Sequence, residues 1–264
     1  MNIIAIDIGN TNMHIGLFLK DEQVSIESMA GDDTTQLKKA LTSAWQRCPV
    51  IETSKEGKRE GVIVVSSVKP AWTQTVQQLA SEELGERIYV FGKDIPLATS
   101  AWVDEPNAVG TDRLISAAAA YAVAENAVVV ADFGTAVTID MVDENGVFQG
   151  GVIFPGFDMA ARSLNEHTAQ LPKVDVSRPL EPFGKNTRDA INCGIYYSAI
   201  GALEEVVRRY AEKHGTWPQT LITGSGAEMI KDDCPFVDAY VPNLVIKGMV
   251  LAYKRHLEED RSGT

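Results

Sequence analysis

The chain reads as an α/β protein of two similar halves with a shared cleft, and three observations carry that reading. First, Ile3-Ile4-Ala5-Ile6-Asp7-Ile8-Gly9-Asn10-Thr11-Asn12-Met13-His14-Ile15-Gly16-Leu17-Phe18 is an apolar run that meets a carboxylate, turns through small polar residues and resumes as a second strand. Second, Val128-Val129-Val130-Ala131-Asp132-Phe133-Gly134-Thr135-Ala136-Val137-Thr138-Ile139-Asp140 repeats that order near the start of the other half. Third, helical and strand patterns alternate after each Asp-x-Gly hairpin.

Taken in order, Val24 to Met29 adds a third strand to the first hairpin, and Asp32-Asp33-Thr34 caps a helix through Trp45. Ser54 to Glu60 is a charged loop. Val62 to Ser67 has the pattern of a buried strand, Pro70 suits the first position of a helix carrying Trp72, Val76 and Leu79, and Ile88 to Phe91 is a short strand. In the second half, a helix from about Thr111 precedes strands beginning at Val128, Thr135 and Val147, the last ending at Ile153. A helix follows Pro155, a long helix spans Thr187 to His214, Thr220 to Thr223 is a strand, and Asn243 to His256 is the closing helix. No low-complexity linker separates the halves, so the boundary is expected inside the helix after Gly110, giving domains 1–115 and 116–264.

The 264 residues have room for one large or two modest cores, and 45% hydrophobic with 23% charged residues is the composition of a globular protein. With 36 acidic against 24 basic residues the net charge is -12, which argues against nucleic acid as a partner. Cys48, Cys193 and Cys234 form no CxxC pair and are odd in number, so neither a disulfide framework nor a zinc site is indicated. Asp7 interrupts the first apolar run too early for a signal peptide, and the Ala-rich stretch Leu114 to Ala124 is too short to span a bilayer. A cytoplasmic protein without membrane or nucleic-acid partners is expected.

The first hairpin tip suits polyphosphate. Gly9 lets backbone approach closely, successive N–H groups and the Thr11 hydroxyl can meet oxygens, and Asp7 can hold Mg²⁺. An ordinary tight hairpin, with Asp7 bonded to its own turn, is the alternative. Gly110-Thr111-Asp112-Arg113 sets an acid beside a base at a helix start. In a cleft, Asp112 can take the proton of an attacking hydroxyl while Arg113 binds a carboxylate through two hydrogen bonds. As a plain helix start, Thr111 or Asp112 is the N-cap and Arg113 a solvated neighbour.

Gly150 to Gly156 reads as a strand leading to a Pro-started helix, and Gly184-Lys185-Asn186-Thr187 either places the Thr187 hydroxyl on a ligand or caps the long helix. Thr223-Gly224-Ser225-Gly226 can seat a nucleotide base or sugar. The four histidines lack metal-ligand spacing, and no Gly-x-Ser-x-Gly elbow surrounds Ser66-Ser67-Val68. Neither a Walker A sequence nor a Gly-x-Gly-x-x-Gly turn after a strand is present.

Two Asp-x-Gly hairpins on a shared cleft are the layout of the acetate and sugar kinase/Hsp70/actin superfamily, with two ribonuclease H-like domains. Within it the chain resembles the type III pantothenate kinases, also called Bvg accessory factor-like. The matching stretches are Asp7 to Asn12, Ser66-Ser67-Val68, Gly110 to Arg113, Asp132 to Asp140, Gly150 to Gly156, Gly184 to Thr187 and Pro242-Asn243-Leu244-Val245-Ile246-Lys247-Gly248. The resemblance implies ATP-dependent phosphorylation of pantothenate at the start of coenzyme A synthesis, by a cytoplasmic homodimer that needs Mg²⁺ and K⁺ or NH₄⁺. It implies that Asp7, Ile8, Gly9, Asn10, Thr11, Asn12, Met13 and His14 wrap the ATP phosphates and that Thr135 contacts them from the second hairpin. By the same resemblance Asp132 holds the monovalent cation, Gly110, Thr111, Asp112, Arg113 and Thr187 bind pantothenate, and Asp112 is the base.

Two positions depart from the family pattern. Val103, beside Trp102, replaces a Tyr seven residues before Gly110, and Ser225 replaces the second Gly of the late Thr-Gly-Gly turn. The alternatives are a sugar-like small-molecule kinase of the same superfamily and a non-catalytic regulator on this fold. Arg113 favours a carboxylate-bearing acceptor over the first, and the three carboxylates Asp7, Asp112 and Asp132 argue against the second.

Overall fold

The computed structural model describes residues 1–54, 57–97 and 99–262, with Ser262 described by its backbone alone. Lys55 and Glu56, inside the expected charged loop, lie outside the described residues. The strands are β1 Ile3–Ile8, β2 Asn12–Leu19, β3 Glu22–Ala30, β4 Val62–Ser67, β5 Ile88–Val90, β6 Val128–Phe133, β7 Ala136–Val142, β8 Phe148–Pro155, β9 Gln219–Thr223 and β10 Ala239–Tyr240. The helices are α1 Thr34–Arg47, α2 Pro70–Leu79, α3 Thr111–Ala124, α4 Phe157–Glu166, α5 Thr187–His214, α6 Ala227–Ile230 and α7 Leu244–Ser262.

The repeat seen in the sequence is a repeat of topology. One sheet runs β3-β2-β1-β4-β5 and the other, read from its far edge, runs β8-β7-β6-β9-β10. In each, the first three strands form an antiparallel meander and the fourth and fifth add in parallel. The chain sorts into two compact units, residues 1–98, 107–119 and 245–264 in one, 99–106 and 120–244 in the other. Val245–Thr264 thus groups with the first unit, where a single cut after residue 115 assigns it to the second.

In the first unit every residue of β1 is buried, because both faces of the sheet are covered. Ile4, Ile6 and Ile8 point into a core with Leu37, Ala40, Leu41, Ala44 and Trp45 of α1, a spacing that puts one face of a helix inward. Ile3 and Ala5 point the other way, against Ile115 of α3 and Val245, Ile246, Met249 and Val250 of α7. Asp33 caps α1 by accepting from the Gln36 N–H at 2.8 Å. Pro70 opens α2 as expected, and a wider helical turn over Ala80–Leu84 prolongs it to Gly85, which ends it at φ +68°. The β2–β3 turn uses two positive-φ residues, Lys20 and Asp21, as a two-residue hairpin with right-handed strand twist requires.

In the second unit Val129, Ala131 and Phe133 of β6 pack with Tyr196, Ala199, Leu203 and Val207 of α5. The expected Pro-started helix after Ile153 is corrected here. Pro155 ends β8, opposite Ala136, and α4 begins only at Phe157 after Gly156. The sheet order makes β8 an edge strand, where a proline's missing N–H breaks no ladder. The short β10 and α6 have no counterpart in the elements expected from the sequence, since four residues or fewer carry no readable period.

Gly248 lies where α7 meets α3, and a Cβ there would stand 2.8 Å from Ile115 Cγ2 and 2.9 Å from the Ile115 carbonyl oxygen. Alanine gains about 1 kcal/mol of helix propensity, whereas overpacking costs about 1–3 kcal/mol. Gly248→Ala is therefore expected to lower stability in urea unfolding, and a more stable variant would mean that the two helices separate freely.

Candidate active site

The two hairpin carboxylates stand at strand ends. In β1 the register sets Asp7 opposite His14 of β2 and Ser66 of β4. In β6 it sets Asp132 opposite Thr138 of β7 and Thr223 of β9. Each carboxylate thus stands where the central strand ends and a tight turn begins, with a hydroxyl residue on the parallel neighbour. Ligands of open α/β sheets gather at this carboxyl end of the strands.

In the first unit, the Gly9 N–H donates to the Asn12 carbonyl at 3.0 Å and closes the turn, leaving Asn10, Thr11 and Asn12 exposed. The tip is braced from outside. The Gly31 N–H donates to the Thr11 carbonyl at 2.9 Å, and the Lys69 ammonium donates to the Asn10 carbonyl at 2.8 Å. Asp7 is only 9% exposed, and burial pushes the His14 imidazole below its ordinary pKa, so His14 is neutral at pH 7.

Gly110 to Arg113 comes to the same unit through β4. The Gly110 carbonyl accepts from the Leu114 N–H at 3.3 Å, so α3 starts from Gly110 and neither Thr111 nor Asp112 is its N-cap residue. The Thr111 hydroxyl instead lies 3.1 Å from Ser66 Oγ, which is fully buried and pairs in register with Asp7. The Val68 N–H bonds the Ile8 carbonyl at 3.1 Å. Two strand ends and the start of α3 are thereby tied together, through Ser66, which entered the sequence reading only as part of a motif.

Asp112 Oδ1 accepts from the Arg113 N–H at 2.8 Å. Burial raises the Asp112 pKa, and the Arg113 N–H and charge offset this only in part. The carboxylate is pressed close: a Cβ on Gly110 would stand 2.4 Å from Asp112 Oδ1.

In the second unit, Asp132 Oδ1 lies 2.3 Å from where a Cβ on Gly224 would be, and Gly224 has φ +89°. Only glycine fits this approach of two backbones. Gly156 has the same character against the second hairpin. A Cβ there would meet the Gly134 carbonyl oxygen at 2.2 Å, and its N–H donates to the Thr135 carbonyl at 3.1 Å. Ser225, between Gly224 and Gly226, is exposed, so the departure from Gly falls where a side chain has space. Val103 packs towards Gly150, 3.5 Å from a Cβ built there, and Trp102 is 76% exposed. Thr187 is exposed at the first position of α5, whose N-cap is Asn186, accepting from the Asp189 N–H at 3.0 Å. The cap is therefore Asn186, and the Thr187 hydroxyl is left to other partners.

Among the described residues no three His, Cys, Asp or Glu side chains gather as a metal cage.

Two α/β units of one strand order, each with an Asp-x-Gly hairpin at the sheet's carboxyl end, have the fold of actin-like ATPases and sugar kinases. Among solved structures, a conserved Baf family protein from Campylobacter jejuni is similar with TM-score 0.63 and 18% identity, over 97% of this chain and 99% of that one. Component A of (R)-2-hydroxyglutaryl-CoA dehydratase from Acidaminococcus fermentans is similar with TM-score 0.51 and 14% identity, again over 97% and 99%. These likenesses concern the fold alone. At the level of sequence, the family model for type III pantothenate kinase matches residues 3–209. The type III pantothenate kinase of Dehalococcoides mccartyi is 31% identical over 255 residues, covering 96% of this chain and 97% of that protein. The chain belongs to the type III pantothenate kinase family.

The raised pKa of Asp112 makes a stability prediction. A carboxyl whose pKa is higher folded than unfolded binds its proton more tightly in the folded state, so stability falls as pH rises above the ordinary value of about 4. Asp112→Asn keeps the acceptor for the Arg113 N–H and removes the charge. Its melting temperature should exceed the wild type's at pH 7, by a margin that shrinks as pH falls through the carboxylate range. A wild type that melts as high as the variant at pH 7 would contradict this.

Proposed function

We propose that this protein transfers the γ-phosphoryl group of ATP to the primary hydroxyl of pantothenate, giving 4'-phosphopantothenate and ADP, the first step of coenzyme A synthesis. The observation that carries the proposal is the family match over most of the chain together with an acid–base pair, Asp112 and Arg113, tied through Thr111 and Ser66 to the strand end that bears Asp7. In this reading Asp7 to His14 wraps the nucleotide phosphates with Thr135 contributing from the second hairpin, and Gly110 to Arg113 with Thr187 holds pantothenate.

The Asp112 carboxylate, which accepts from the Arg113 N–H through Oδ1, receives the hydroxyl proton as the new O–P bond forms and the bond to the β-phosphate oxygen breaks. A carboxyl whose pKa burial raises is a better match to this task than an ordinary one, because proton transfer to a base is most efficient when its pKa lies nearer the working pH. The Arg113 guanidinium takes the pantothenate carboxylate with two hydrogen bonds. In this reading Asp7, opposite His14 in the strand register, would hold Mg²⁺. Bound there, Mg²⁺ would neutralise phosphate charge. Asp132 would hold K⁺ or NH₄⁺ beside the second hairpin.

The reading includes a homodimer in the cytoplasm. Tyr197 is 42% exposed on α5 between Gly194 and Gly201, where a Cβ would meet nothing, a face open to a second copy. The acidic balance speaks against nucleic acid. Among the described residues no helix is long and apolar enough to cross a membrane.

ATP turnover measured with and without pantothenate tests the proposal. Turnover should depend on pantothenate, and Asp112→Asn should lower it by roughly 10²–10⁴-fold, the worth of a general base. Pantothenate-independent turnover, or a folded Asn variant of near-normal rate, would overturn the assignment. Arg113→Lys should raise the KM for pantothenate by roughly 10- to 100-fold while that for ATP stays nearly constant, since an ammonium cannot reproduce the two-point contact. A change confined to the KM for ATP would move Arg113 to the nucleotide.

A further inference from the structure

We propose that Lys69 is a phosphate-binding residue of the nucleotide site, a cation anchored on the tip of the first hairpin that takes the outer phosphates of a nucleoside triphosphate. The inference rests on the kinase reading above and adds to it a residue outside the hairpin itself.

The charge balance poses the problem. The chain carries a net charge of -12, the tip lies two residues beyond the Asp7 carboxylate, and a triphosphate brings further negative charge. Backbone N–H groups supply partial charges only, so a full positive charge near the tip has a clear use. Lys69 supplies it from β4's carboxyl end, one residue before α2, where the helix N-terminus also favours anions.

The side chain is held ready. Its backbone is fixed by Ser67 and Thr73: the Lys69 N–H donates to Ser67 Oγ at 3.0 Å, and the Thr73 hydroxyl lies 3.2 Å from the Lys69 carbonyl oxygen. Its ammonium stands 3.5 Å from the centroid of the Trp72 ring and donates to the Asn10 carbonyl at 2.8 Å. Trp72 in turn packs against Gly31, where a Cβ would collide with its ring carbons, and the Gly31 N–H donates to the Thr11 carbonyl. A lysine that only solvated the surface would need none of these. An ammonium has three donors, so the bond to Asn10 leaves two for phosphate oxygens.

Isothermal titration calorimetry in Mg²⁺ buffer, with ATP and with AMP as ligands, tests the assignment on wild type, Lys69→Met, Lys69→Arg and a charge-loss control, Lys39→Met on the exposed side of α1. Lys69→Met should melt like the wild type and bind ATP roughly 10- to 100-fold more weakly, the worth of a charge-assisted hydrogen bond. AMP binding should be unchanged, Lys69→Arg should retain most of the ATP affinity, and Lys39→Met all of it. Unchanged ATP binding by Lys69→Met would overturn the proposal. So would equal losses for ATP and AMP, which would make Lys69 a brace of the hairpin. If ATP binding depends on Lys69 while no phosphate reaches pantothenate, the acceptor reading fails and the phosphate clamp stands. If the wild type binds no nucleoside triphosphate, both fall together.

Discussion

A carboxylate at the end of a strand with no exposed face is the constraint around which the first unit is arranged. Ile3 to Ile8 is buried throughout, and Asp7 is the one charged residue the strand carries. Burying an ionised carboxyl is costly unless hydrogen bonds, a cation or ligand-borne charge offset it. Asp7 stands next to last in its strand, one residue before the hairpin turn. Asp132 in β6 meets the same condition between the buried Ala131 and Phe133.

Glycines complete what the strands begin, and they do so by letting backbone touch backbone. Gly224 brings the turn after β9 against Asp132, Gly156 brings the end of β8 against the second hairpin, and Gly31 gives Trp72 the space from which it supports Lys69. A methyl group at Gly224 or Gly156 would meet main chain, and one at Gly31 would meet the Trp72 ring. Packing thus helps to position the turns around Asp132 and the first hairpin tip.

At Asp112 folding and chemistry pull in opposite directions. Desolvation raises its pKa, which weakens the folded state at neutral pH and at the same time suits the base proposed above. Gly110 adds to the constraint, since any side chain there would collide with the carboxylate.

Most of the architecture was legible in the sequence. Strands buried on both faces read as unbroken apolar runs, the period of α1 placed its buried face, and the two Asp-x-Gly turns announced a duplicated unit, because each of these is set by neighbours in sequence. The candidate residues of the hairpin and of Gly110 to Arg113 were likewise visible as unusual residue types at element ends. What the tertiary structure decided were relations between distant segments. Only packing could return Val245 to Tyr253 to the sheet of the first unit, or reveal Ser66 as the link between Asp7's strand and Thr111. Only edge-strand geometry could make Pro155 the end of β8 rather than the start of a helix. Lys69 reads in the sequence as a residue before a helix-starting proline; its role appears when folding sets its ammonium on the Asn10 carbonyl, 59 positions away, because charge and hydrogen bonding act through space and not along the chain.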